Sequence, residues 1–163
     1  MFRYLLLLFL LITLNRFAIA DSGSVTVTGN LLSSGCSVSG AANLTYNLKK
    51  GVAGDLPDEN STYGRQHQAI SLSCDEGTIV HITIEGNHLA NNTSILSNTG
   101  TGKGVNIQLL NVNNTPIRMG EVWTPIIDAN SRETIVIGAQ YIRTGNIVAG
   151  TVSASATYTL KYE

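Results

Sequence analysis

Three histidines and two cysteines are the side chains of this 163-residue sequence with the most capacity for metal binding or catalysis. They are His67, His81, His88, Cys36 and Cys74. A closed zinc site needs four such ligands at short spacings, and a metalloprotease needs the pattern His-Glu-x-x-His. The sequence has neither pattern, and it has no Gly-x-Ser-x-Gly turn for a nucleophilic serine. We therefore expect no cofactor, no metal and no catalytic residue.

The first twenty residues have the order of charge and hydropathy found in secretory signal peptides. Arg3 precedes an apolar run from Leu5 to Leu14, and Ala18-Ile19-Ala20 offers the small residues of a cleavage site. The run is shorter than the about 20 apolar residues that cross a bilayer. We expect export, cleavage after Ala20 and no membrane insertion. The alternative is an uncleaved anchor that extends through Phe17.

Export determines how the two cysteines are interpreted. In an oxidising compartment an even number of cysteines is most simply paired, so we predict a disulfide between Cys36 and Cys74. On the chain-entropy estimate, closing this loop stabilises the fold by roughly 4 kcal/mol. The formal net charge is −1 and there is no basic run, which argues against nucleic acid or an anionic membrane as a partner.

After Ala20 the sequence has the pattern of strands separated by turns. Apolar residues recur with period two, and Gly, Asn, Asp and Ser fill the gaps. Predicted strands after the first cysteine are Leu44–Leu48, Ala69–Cys74, Thr78–Ile84, Val105–Leu110, Glu133–Ile142 and Thr151–Tyr162. Lys49–Gln68, which contains glycines, a proline and a polar run, is predicted to be a long loop with room for a short helix. The pattern predicts one all-β domain, a Greek-key sandwich.

The two ends of the exported chain have complementary patterns. The last predicted strand alternates apolar and polar residues, and we expect no further strand to cover its apolar face. Asp21–Thr28 is strand-like but precedes the sandwich, with Val25 and Val27 on one face. The ordinary explanations are an edge strand shielded by loops and a frayed terminus. The alternative joins the ends: one subunit's N-terminal strand fills the next subunit's vacant strand site, a β-augmentation.

The sequence resembles the chaperone-usher pilus (fimbrial) subunit family, most closely the short tip-adaptor subunits of type 1 pili. The likeness covers essentially the whole chain after Ala20. The motifs that carry it are Ala20-Asp21-Ser22, Val25-Thr26-Val27-Thr28-Gly29, Gly35-Cys36-Ser37-Val38, Ser71-Leu72-Ser73-Cys74, Gly104 to Asn111 with Pro116-Ile117, Gln140-Tyr141, Gly145, Ala149-Gly150-Thr151-Val152 and Ala156 to Glu163.

The resemblance implies an incomplete immunoglobulin-like β-sandwich that lacks its last strand. A periplasmic chaperone would lend a strand to the groove, and at the outer-membrane usher a neighbouring subunit's N-terminal strand would replace it, by donor-strand complementation. The implied donor residues are Gly23, Val25, Val27, Gly29 and Leu31. The implied acceptor groove is lined by Val152, Ala154, Ala156, Tyr158 and Leu160. Tyr162 and Glu163 would contact the chaperone.

These implications define a domain plan and a function. Residues 1–20 are the expected signal peptide, 21–28 a donor-strand extension and 29–163 the pilin domain. The short extension favours a minor adaptor subunit that supports bacterial adhesion at the cell surface. The alternatives are a base or terminator subunit of the same pilus, a secreted carbohydrate-binding sandwich in which Trp123 stacks on a sugar, and a metal-dependent hydrolase. A lectin-bearing tip adhesin is disfavoured because the sequence ahead of Cys36 is too short for a lectin domain.

Overall fold

The computed structural model describes residues 35–125 and 132–163, and the side chains of residues 132 and 133 are not described. The predicted signal peptide and the predicted donor positions, Gly23 to Leu31, lie outside the described residues. In chain order the strands are β1 (Cys36–Val38), β2 (Thr62–Cys74), β3 (Val80–Gly86), β4 (His88–Leu89), β5 (Asn92–Leu96), β6 (Lys103–Leu110), β7 (Val122–Trp123), β8 (Arg132–Val148) and β9 (Ala156–Tyr162). A 3₁₀ helix, Ala53–Asp55, lies between β1 and β2.

The strands form two sheets in which every described pairing is antiparallel. One sheet has the order β1-β2-β8-β6-β5-β4, and the other has the order β7-β3-β9. The longest pairing joins β2 to β8, from Thr62 opposite Ile142 to Ser73 opposite Arg132. Because β2, β8 and β6 are neighbours in space but not in sequence, the chain crosses repeatedly between the sheets, as in Greek-key sandwiches.

One apolar core fills the space between the sheets. Its side chains come from alternate positions of each strand, because successive residues of a strand point to opposite faces. Ile70 of β2 and both Val80 and Ile82 of β3 have no exposed surface. Ile135 and Ile137 of β8 complete the same cluster. Full burial of one such side chain contributes about 1.5–3 kcal/mol, so this cluster is a large share of the driving force for folding.

Three of the segment predictions are wrong. The predicted strand Leu44–Leu48 does not form, although Leu44, Tyr46 and Leu48 are half-buried and alternate with exposed neighbours. The predicted last strand, Thr151–Tyr162, is too long, because β9 begins only at Ala156. The predicted loop Lys49–Gln68 is too long, because β2 already begins at Thr62. The polar residues at the start of β2 pair with β8 through backbone groups, which place no demand on side-chain hydropathy.

The predicted disulfide is confirmed. Cys36 and Cys74 lie directly opposite each other in the β1–β2 pair, and their sulfur atoms are 2.04 Å apart. The bond closes a loop with a sequence separation of 38 residues. It attaches β1 to the edge of the larger sheet, next to the long β2–β8 pairing.

Replacing both cysteines by serine (C36S/C74S) is expected to lower the free energy of unfolding by about 4 kcal/mol, because the unfolded chain gains loop entropy. Urea denaturation followed by circular dichroism measures the change. Wild-type protein treated with dithiothreitol is the matched control and should unfold at the urea concentration of the variant. A variant that keeps the midpoint of oxidised wild type contradicts the prediction.

Candidate functional site

A groove of about 900 Å³ lies between two segments of the chain and opens onto the core. We call its sides the 42–48 wall and the 152–158 wall, after the residues that form them. Its floor consists of core side chains from β3, β5, β6 and β8. The floor residues are Ile84, Leu96, Ile107, Leu109, Ile137, Ala139 and Tyr141.

The 152–158 wall includes the beginning of β9, an edge strand. Among the described residues β9 pairs with β3 alone, so its other edge faces away from the sheet. Upstream, the backbone N–H of Thr99 donates to the carbonyl oxygen of Ser153 at 2.8 Å, and the Asn98 side chain accepts from the Ser153 N–H at 2.9 Å. At Gly100 a Cβ would lie 2.2 Å from the Thr151 carbonyl oxygen, so glycine is required for this close approach. This wall is therefore fixed along one side by backbone contacts.

The 42–48 wall is held mainly by side chains. The side-chain amide of Gln68 donates to the carbonyl oxygen of Thr45, and that of Gln66 donates to the carbonyl oxygen of Asn47 at 2.9 Å. The Tyr46 hydroxyl donates to the Ile137 carbonyl oxygen of the floor at 2.8 Å. Within residues 35–125 and 132–163, no backbone hydrogen bond joins this wall to another segment. Among the described residues, its N–H groups therefore lack the backbone partners that buried strands require.

The described residues that line the groove carry no charge at neutral pH. None of the described residues that line it is Asp, Glu, Lys, Arg or His. Burial raises the pKa of the Tyr46 hydroxyl to about 12 and also raises the pKa of Tyr141, so both are neutral at physiological pH. An uncharged apolar floor between two extended segments suits a polypeptide strand far better than a charged small molecule.

The structure places four of the five predicted acceptor residues on the groove, namely Val152, Ala154, Ala156 and Tyr158. Leu160 does not line it; this residue packs against the core, opposite Ile82 of β3. Tyr162 lies opposite Val80. The next residue, Glu163, continues the pairing, since its N–H donates to the Ile79 carbonyl oxygen at 2.9 Å.

Sequence reasoning missed the opposite wall and the floor. The alternation of Leu44, Tyr46 and Leu48 was a usable signal, but it predicted a strand of the sandwich and not one side of a groove. Nothing in the sequence indicated that Gln66 and Gln68 would bind the backbone of residues far along the chain, because isolated glutamines have no characteristic pattern.

The three histidines are dispersed. His81 Nδ1 lies 2.9 Å from the Thr124 hydroxyl, and its Nε2 lies 3.5 Å from the Glu163 carboxylate. His67 contacts Asn114, and His88 contacts the Leu89 carbonyl. In the part of the chain that the structure describes, no three His, Cys, Asp or Glu side chains converge as metal ligands would.

Trp123 packs against the core and is only partly exposed. Its indole Nε1 is buried and has no hydrogen-bond partner among the described residues. A sugar-stacking tryptophan needs an exposed ring face, so this position favours a packing role.

Within residues 35–125 and 132–163, no helix is both long and apolar enough to cross a membrane.

Comparison with known proteins identifies the family. A family model described as fimbrial protein matches residues 25–163, and this chain belongs to that family. It is 26% identical over 147 residues to the Fimbria A protein of Serratia marcescens, an alignment that covers 86% of this chain and 84% of the relative. The fimbrial family consists of structural subunits of surface pili, so the chain is a structural protein and not an enzyme.

Solved structures agree on the fold. A chain from a chaperone-usher pilus superposes with a TM-score of 0.67 at 17% identity, covering 91% of this chain and 99% of that one. An antigen and type I fimbria protein of Burkholderia pseudomallei gives 0.61 at 26% identity, covering 75% and 84%. The P pilus rod subunit PapA gives 0.63 at 17%, covering 78% and 99%. The predicted all-β, incomplete immunoglobulin-like sandwich is confirmed.

The raised pKa of Tyr46 predicts a loss of stability at high pH. The unfolded tyrosine ionises near pH 10 and the folded one near pH 12, so the stabilisation is complete below pH 10 and is lost as the pH rises through this window. Urea unfolding at several pH values from 8 to about 12 measures the slope. The Y46F variant should be less stable than wild type at pH 8 but should lose less stability between pH 10 and 12. Equal slopes for the two proteins would count against the assignment.

Proposed function

We propose that this chain is a minor adaptor subunit of a chaperone-usher fimbria and that it joins its neighbours by donor-strand exchange. The observation that supports this most directly is the groove beside the outer edge of β9, with which no described strand pairs. The floor of the groove belongs to the core of the sandwich, and one of its walls is a strand with a single described partner. A strand inserted there would bond to β9 and cover the apolar floor at the same time.

The N-terminal segment has the residue pattern that such a groove requires. A strand presents every second side chain to one face, and Gly23, Val25, Val27, Gly29 and Leu31 are small or apolar at every second position. The 152–158 wall likewise offers Val152, Ala154, Ala156 and Tyr158 at every second position. We propose that these donor residues of one subunit enter the groove of the next.

The same groove explains the proposed assembly partners. Half-buried apolar side chains in both walls, and a strand edge without a partner among the described residues, make a free subunit prone to aggregation. A periplasmic chaperone that lends a strand would protect the subunit, with Tyr162 and Glu163 as further contacts beside the end of β9. Exchange for a neighbour's strand would then take place at the outer-membrane usher, after export directed by residues 1–20.

The adaptor role rests on the length of the extension. Only Asp21–Thr28 precede Gly29 after the proposed cleavage site, so the donor strand is short and fills few positions of a neighbour's groove. A short strand suits a subunit present in few copies, because each junction is held by fewer buried side chains. A base or terminator subunit is the alternative within the same organelle.

Strand acceptance predicts that a tethered strand will stabilise the protein. Residues 21–31 are appended after Glu163 of the full chain through about six Gly and Ser residues, a flexible linker that gives a high effective concentration. Burial of two valines and a leucine contributes roughly 5 kcal/mol and should raise the Tm by about 10–20 °C. Thermal melting measures the shift.

The control is the same extension with aspartate in place of its two valines, and it should leave the Tm within a few degrees of the unextended chain. If the valine and aspartate extensions melt together, the groove does not accept a strand and donor-strand exchange is wrong for this chain.

The adaptor role predicts where the subunit lies in assembled fimbriae. Immunogold labelling of fimbriae from the source bacterium should place the label at tips, with few particles on each fimbria. Antibody against the major subunit, which should label the whole shaft, is the control. Label along the shaft would indicate a rod subunit, and label only at the cell-proximal end would indicate a base or terminator subunit; either result contradicts the adaptor role.

A further inference from the structure

One hydrogen bond crosses the groove. The hydroxyl of Tyr158, on the 152–158 wall, donates to the carbonyl oxygen of Ala42, on the 42–48 wall, at 2.5 Å. The two residues are 116 positions apart in sequence. Among the described residues, no other hydrogen bond joins these two walls.

The bond lies at one end of the groove. The bond joins Tyr158, the last residue of the 152–158 wall, to Ala42, the first residue of the 42–48 wall. Tyr158 also lies opposite Ile84 of the floor strand β3, which fixes its backbone by the β3–β9 ladder. At the opposite ends, around Val152 and Leu48, no described hydrogen bond joins the walls.

The bond occupies space that an entering strand needs. A strand that pairs on both sides stands about 4.8 Å from each neighbour, so two walls with a strand between them are separated by about 9.6 Å. The Tyr158 side chain bridges the walls where that strand would pass. The 42–48 wall is the one able to move, because side-chain amides hold it and no backbone ladder joins it to another described segment.

We propose that Tyr158 is a latch that closes the Ala42 end of the groove and slows strand uptake until its hydroxyl releases the Ala42 carbonyl. This inference rests on the proposed strand exchange. Release exchanges one hydroxyl–carbonyl bond for bonds with water or with the entering strand, so the net cost is that of one ordinary hydrogen bond. The latch therefore changes the rate of uptake by a modest factor and does not prevent it.

Ser61 provides a matched control outside the groove. Its hydroxyl also donates to a backbone carbonyl, that of Asp58, at 2.6 Å, but Ser61 lines neither wall nor the floor. Loss of either hydroxyl should destabilise the fold by a similar amount. Only loss of the Tyr158 hydroxyl should open the path of the strand.

The test compares full-length wild type, Y158F and S61A, each oxidised and refolded. The probe is a fluorescent synthetic peptide of residues 21–31, and fluorescence anisotropy gives its association rate constant. Y158F should bind the peptide about fivefold faster than wild type, the factor expected when one net hydrogen bond no longer has to break. S61A should stay within about twofold of wild type.

Two results overturn the latch: equal rates for Y158F and wild type, or an equal acceleration in S61A, which would reflect a general loss of stability. Failure of all three proteins to bind the peptide overturns it as well. The tethered-strand melting experiment then separates the two ideas, because a large Tm increase there would leave strand exchange standing while the latch is lost.

Discussion

The rest of the structure depends on the outer edge of β9, with which no strand pairs among the described residues. Every backbone N–H and C=O of a buried strand needs a partner, and among the described residues β9 has only β3. The side chains of the 152–158 wall are incompletely covered, since Val152, Ala154 and Tyr158 pack against the core without being fully buried by it. One further strand would pair with the backbone of β9 and would also cover these side chains. For this reason the groove is the centre of the proposed function.

The sandwich has to be stable enough to hold this groove open to a partner. Much of its stability comes from the pairing of β2 with β8, which extends over most of β2, and from the side chains of Ile70 and Ile135, which are almost wholly buried. The Cys36–Cys74 bond adds a covalent closure at the edge of the same sheet. The groove is therefore one incompletely covered region of a core that is otherwise well packed. An entering strand would add to a sandwich that is already folded.

The two walls of the groove differ in how they are held. The 152–158 wall belongs in part to a sheet. The 42–48 wall is held by hydrogen bonds from the side-chain amides of Gln66 and Gln68 and from the hydroxyls of Tyr46 and Tyr158. Backbone ladders are cooperative and resist local movement, while single side-chain bonds exchange at small net cost. Because of this difference, we expect residues 42–48 to form the side of the groove that moves. The sequence indicated only a short alternating segment there.

The sequence by itself determined what depends on composition and on local period: the cysteine pair, the all-β class and the alternating apolar face of the last strand. The expected export stays a prediction. The motifs of the sequence also pointed to the fimbrial family, which the match over residues 25–163 confirms. Only the tertiary structure decided that residues 42–48 leave the sheets, that β2 starts at Thr62, and that Tyr158 reaches Ala42. The physical reason is that backbone pairing and single hydrogen bonds between distant residues leave no periodic trace in the chain, whereas burial of alternate side chains does.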